Sequence, residues 1–229
     1  MAKSPLALAT ASAPQYYSEQ ARAEIAQAIR KAERHLARRD PIMKRLIAVH
    51  GCCPIAEREF EPFHMLANSI ISQQLSSKAA ATIKQRVGTL VGVPFQVAKV
   101  LAVSDEQLHG AGLSMAKARY IRALATHVSD GRLEFGAIIA LSDEEMIEKL
   151  TVVPGIGRWT AEMFLLFGLK RLDVLALGDA GLQRAARLLY GKARKSTTLL
   201  PRVAERWRPY RSIASWYLWR SLEAVQQTK

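Results

Sequence analysis

Apolar side chains recur along this chain at three- and four-residue spacing, which gives a helix one buried stripe. From Ser18 to Ala37, Ala21, Ile25, Ala28, Ile29, Ala32 and Leu36 share a face, with Ser18 placed to cap it. Asp40-Pro41 breaks that helix, and a shorter one over Ile42 to Val49 stops at Gly51. Phe63, Leu66, Ala67, Ile70 and Ile71 make the next stripe, interrupted by residues 72–77. Ala79, Ile83, Val87 and Leu90 then predict an inward face for the following helix.

The same period continues to the C-terminal side. Ser104 to Gln107 and Ser142 to Glu145 read as capping boxes, each opening a helix. Ala118, Ile121, Leu124, Ala125 and Val128 form one stripe, and Met146, Ile147 and Leu150 another. Leu182, Ala186 and Leu189 follow Asp179, and a last helix after Pro209 holds Trp216, Tyr217 and Trp219. The pattern predicts an all-α chain without a β domain.

Between two of these helices lies LTVVPGIGRWTA, residues 150–161. Pro154 fixes φ and Gly155 and Gly157 tolerate positive φ, so a tight turn joins the helices. Such a bend leaves amides unpaired at the start of the second helix, which runs from near Arg158 to Gly168 and can face a phosphate there. An ordinary helical corner has the same local signature.

Composition narrows the partner. The chain has 229 residues, 49% hydrophobic and 23% charged, enough for one globular unit or two small lobes. Its net charge of +13 and pI near 10.1 point to a polyanion, with DNA or RNA ahead of membrane because no long apolar span occurs. Lys117, Arg119 and Arg122 read as a solvated face. Cys52 and Cys53, adjacent and the only cysteines, fit a reducing compartment and fall short of the four that an iron–sulfur cluster takes. No His/Cys spacing suits zinc.

Four strings in order resemble the helix-hairpin-helix DNA glycosylase superfamily, in its alkylpurine branch of the DNA-3-methyladenine glycosylase II type. They are IISQQLSSKAA at 70–80, GLSMAKARYIRALA at 112–125, the hairpin with LGDAG at 177–181, and RWRPYRS at 206–212. The resemblance implies a two-lobed helical fold with a cleft between lobes and without the N-terminal β domain of longer bacterial members. Residues 1–17 are then a flexible tail, 18–62 with 178–229 a terminal lobe, and 63–177 a helical core.

The resemblance also assigns residues. Asp179 becomes the catalytic carboxylate, although an Asp before a helix is equally an N-cap. Gly155, Gly157 and Thr160 of the hairpin contact DNA, and Gln74 or Leu75 wedges into the gap left by an extruded nucleotide. Trp159, Trp219 and Met163 line the base pocket, Met163 standing where bacterial members carry tyrosine. Bifunctional members have a nucleophilic lysine at the position of Trp159, so this chain should release the base and leave the strand intact. Lys170 is too far along the helix to substitute. No cofactor is expected beyond an alkali ion, Na⁺ or K⁺, on the carbonyls of Thr151, Val153 and Ile156.

The implied activity is hydrolytic excision of alkylated purines, 3-methyladenine and 7-methylguanine, from double-stranded DNA in base excision repair. The chain would act as a monomer, away from membranes, in the cytoplasm at the nucleoid if bacterial. Two other readings stay open: the same scaffold acting on a deaminated or mismatched base, and a non-catalytic hairpin protein that only grips DNA.

Overall fold

The computed structural model describes residues 17–191 and 199–226, and among them every regular element is helical. The chain forms two compact units, a central one of Phe60–Phe164 and a terminal one built from Tyr17–Glu59 and the chain from Leu165 on. Residues 165–177, grouped by sequence with the core, therefore cluster with the terminal unit. The tail drawn at 1–17 lies outside the described residues except for Tyr17. That residue is buried and its hydroxyl donates to the Gly168 carbonyl at 3.0 Å.

The terminal unit opens with α1 (Glu19–Arg39) and α2 (Pro41–His50). Ser18 caps α1 as its sequence predicts, accepting from the Ala21 amide at 3.1 Å. Asp40 does more than end one helix and start the next. Its Oδ1 accepts from the amides of Ile42 and Met43 at 2.9 and 3.3 Å. Oδ2 accepts from the half-buried Tyr190 hydroxyl at 2.9 Å and the buried Trp207 indole at 3.0 Å. A buried carboxylate is costly unless its lone pairs are occupied, and here four donors occupy them.

The central unit holds α3 (Pro62–Ser72), α4 (Ser77–Val91), α5 (Val97–Ala102), α6 (Asp105–Gly110), α7 (Met115–Ser129), α8 (Phe135–Ile138), α9 (Asp143–Thr151) and α10 (Arg158–Met163). Both capping boxes form, at Ser104 with Gln107 and at Ser142 with Glu145. α7 is the hub, packing against α3, α5 and α6. The inward face of α4 is Ala80, Val87 and Val91 rather than the stripe drawn through Ala79 and Leu90. Leu90 is left exposed because α4 meets its neighbours along the row that Val87 and Val91 share.

Lys117 and Arg122, read from sequence as solvated, are both engaged. Arg122 pairs with Asp105 at 2.6 Å and donates to the carbonyls of Leu101 and Val103. Past α10, the chain takes one wider π-helical turn over Phe164–Gly168, within which the change of unit falls.

Back in the terminal unit, Ser212 and Arg211 fix the link that follows. Ser212 Oγ accepts from the Val174 amide at 2.9 Å, while Arg211 grips the Asp173 carboxylate at 2.8 and 3.0 Å. The link leads into α11 (Ala180–Tyr190), followed by α12 (Leu199–Ala204) and α13 (Arg211–Gln226), with α11 packed on α13.

Removing the Asp40 carboxylate strips a cap from α2 and orphans two donors, one of them the fully buried Trp207 indole. Asp40→Ala should lower unfolding free energy by about 3 kcal/mol in urea titrations, and a loss under about 1 kcal/mol would contradict this account.

Candidate active site

In the central unit the hairpin turn is closed by backbone bonds from Val153 N–H to Leu150 O at 3.1 Å and from Ile156 N–H to Val153 O at 3.0 Å. The two glycines serve different ends. Gly155 has φ +87°, and a Cβ there would lie 2.5 Å from the Tyr120 ring, so conformation and packing both demand glycine. Gly157 has an ordinary φ of −91° and nothing within 4 Å of a Cβ position, so intramolecular packing gives no reason for glycine.

α10 starts at Arg158 without a side-chain cap. Arg158 pairs with Glu144 of α9 at 2.6 Å and with the buried Glu162 at 3.1 Å. Trp159 is 46% exposed, whereas Thr160 is 3% exposed and Met163 is buried. The Thr160 side chain is therefore buried.

The loop between α3 and α4, residues 73–76, sits beside this turn. Gln73 Nε2 donates to the Gly155 carbonyl at 2.9 Å, across 82 positions of sequence. Gln74 takes a left-handed conformation with φ +58°, uncommon for a residue with a side chain. Gln74 and Leu75 are exposed, Leu75 at 38%.

In the terminal unit Asp179 is the N-cap that its sequence allows. As N-cap of α11 its Oδ1 accepts from the Leu182 amide at 2.7 Å, and the same oxygen accepts from the Trp219 indole N–H at 3.0 Å. Asp179 is 9% exposed, and the two donors hold its carboxylate in one orientation. Trp219 lies 5.7 Å from the Phe167 ring, and the Arg58 guanidinium sits 4.9 Å from the Phe167 centroid. Thus the indole read as a stacking wall is also a donor to the carboxylate.

Gly181 leaves room for this contact. A Cβ there would stand 3.0 Å from Asp179 Oδ1 and 3.3 Å from the indole. Sequence reasoning passed over Gly181, yet glycine inside the first turn of a helix costs about 1 kcal/mol against alanine, which signals a close approach. Lys117 carried a similar signal. It stands in the first turn of α7, where a cation opposes the helix dipole, so some other contact has to favour it there.

Lys170 is 5% exposed and has φ +56°, its ammonium donating to the carbonyls of Arg58 and Phe167. Burial, with Arg58 and Arg22 nearby, pushes its pKa down to about 8. Its protons are directed at backbone oxygens.

Comparison with known proteins gives a consistent picture. A family model described as HhH-GPD superfamily base excision DNA repair protein matches residues 67–209. The chain is 34% identical over 212 residues to DNA-3-methyladenine glycosylase 1 of Schizosaccharomyces pombe, covering 90% of this chain and 93% of that one. Among solved structures, S. pombe 3-methyladenine DNA glycosylase in complex with abasic DNA matches with TM-score 0.75 at 32% identity, over 84% of this chain and 97% of that one. A DNA-3-methyladenine glycosidase from Bacillus halodurans matches with TM-score 0.66 at 40% identity, over 80% and 89%.

The depressed pKa of Lys170 has a stability consequence. Folded, the amine titrates near 8; unfolded, near 10.5. Between those values the unfolded chain binds more protons, so stability should rise with pH across this window, by roughly 2 kcal/mol. Lys170→Met should remove the rise in denaturation curves taken at pH 8 and 10; an equal rise in the variant would assign it elsewhere.

Proposed function

Because the chain belongs to the HhH-GPD superfamily of base excision DNA repair proteins, we propose that it is a DNA glycosylase excising alkylated purines from duplex DNA, 3-methyladenine foremost. The observation that carries this reading is the Asp179 carboxylate, fixed by the Leu182 amide and the Trp219 indole. Cleaving an N-glycosidic bond builds positive charge on the sugar, and an oriented carboxylate beside C1′ stabilises it or directs water to it. An alkylated purine is already cationic and leaves readily, so one carboxylate suffices without a general acid.

The remaining roles follow from chemistry at each position. The hairpin meets the DNA backbone through Gly155, Gly157 and the Thr160 main chain, and the open space around Gly157 supports close approach by a phosphodiester. Trp159 offers an indole face to an extruded cationic base, and Met163 shapes what lies behind it. Gln74 or Leu75 fills the gap in the stack. Trp219 contributes its ring to the base and its N–H to Asp179.

Trp159 cannot form a Schiff base, and Lys170 commits its ammonium to carbonyls, so the enzyme is monofunctional. The carbonyls of Thr151, at the end of α9, and of Val153 and Ile156, in the turn, would hold an alkali ion. Val153 O already accepts from Ile156 and keeps a second lone pair for it. Bound there, the ion would supply positive charge toward a phosphate.

Two tests separate the roles. Asp179→Asn should lower release of 3-methyladenine from methylated DNA at least about 100-fold while duplex binding persists, and hot alkali should be needed to cut the wild-type product strand. Retained release in the variant, or strand breaks without alkali, would sink the corresponding assignment. Trp219→Phe keeps an aromatic face but loses the N–H, so kcat should fall about tenfold, as it should in Gly181→Ala. Full activity in Trp219→Phe would mean that stacking alone matters.

A further inference from the structure

The loop carrying Gln74 and Leu75 is braced in a way its own sequence does not explain. Where α3 ends, its last carbonyls have no intrahelical donors. The Gln73 amide bonds Ile70 O at 3.4 Å and the Leu75 amide bonds Ser72 O at 3.3 Å. Ile71 O and the carbonyl of the cap residue Gln73 both accept from Lys117 Nζ, at 2.8 and 2.5 Å. A cation there also answers the negative end of the α3 dipole.

One turn further along α7, Tyr120 packs its ring against the Gly155 backbone so closely that no Cβ fits between them. The third side is the Gln73 carboxamide on the Gly155 carbonyl, at 2.9 Å. α7 thus holds the loop through Lys117 and the hairpin through Tyr120, and Gln73 ties loop to hairpin. At the apex Gln74 keeps a left-handed backbone that costs about 1 kcal/mol or more, which persists only when its surroundings over-determine it.

We infer that Lys117 and Gln73 are positioning residues: they lock the loop to the hairpin so that wedge insertion and backbone grip occur as one rigid event. This rests on the reading of Gln74 and Leu75 as the wedge. Neither positioning residue has to touch the base. Their loss should leave a folded protein that grips DNA with a slack loop.

The experiment uses the full-length protein and a duplex with a tetrahydrofuran abasic analogue and 2-aminopurine in the opposite strand, whose fluorescence rises when a wedge disturbs the stack. Lys117→Met and Gln73→Ala, checked as folded by thermal melts, should each lose at least about half of that rise. With methylated DNA, kcat should fall about tenfold while KM moves less than about threefold, and Lys117→Arg should recover kcat to within about twofold. If either folded variant keeps the wild-type fluorescence rise and kcat, the inference is overturned; should Lys117→Met not fold, Gln73→Ala decides. A Gln74→Ala/Leu75→Ala double variant separates the two levels. If it keeps the full rise, the wedge reading falls and the inference with it. If it loses the rise while the bracing variants keep theirs, only the inference falls.

Discussion

Each helix end strands amides or carbonyls that must find partners. The residues that satisfy those ends are the ones on which local architecture turns. Asp40 caps α2 and in doing so collects Tyr190 and Trp207 from distant sequence. Lys117 closes the end of α3, and Asp179 opens α11.

That constraint brings structure and chemistry into the same atoms. Asp179 Oδ1 accepts from a helix amide and from an indole, so the carboxylate that stabilises a fold element is also presented in one orientation. A freely rotating carboxylate would pay for reorganisation each time charge developed on a substrate; a capped one is already placed. Gly181 belongs to this arrangement because a Cβ there would crowd both the carboxylate and the indole.

In the central unit the same logic couples two surface segments. Carbonyls at and just past the end of α3 are shared between two loop amides and one lysine, and the Gln73 side chain turns outward to the hairpin. The hairpin accepts it with a carbonyl of Gly155, whose missing Cβ makes room for Tyr120. Exposed Leu75 and Trp159 therefore rise from backbone that is held from behind.

Sequence alone determined the helices, since apolar periodicity and capping residues are local: Ser18, Ser104, Ser142 and Asp179 all cap where their spacing placed them. It also determined the family and the hairpin, because a Pro-Gly-x-Gly turn restricts φ without help from elsewhere. The inward row of α4 was misjudged at Leu90, as neighbouring helices choose among adjacent stripes. Lys117 looked solvated and Thr160 available, and only packing showed the first bound to carbonyls and the second buried. The indole on Asp179 spans 40 positions and the Gln73 contact 82. Neither follows from spacing, because hydrogen bonds between remote segments exist only after the chain has brought those segments together.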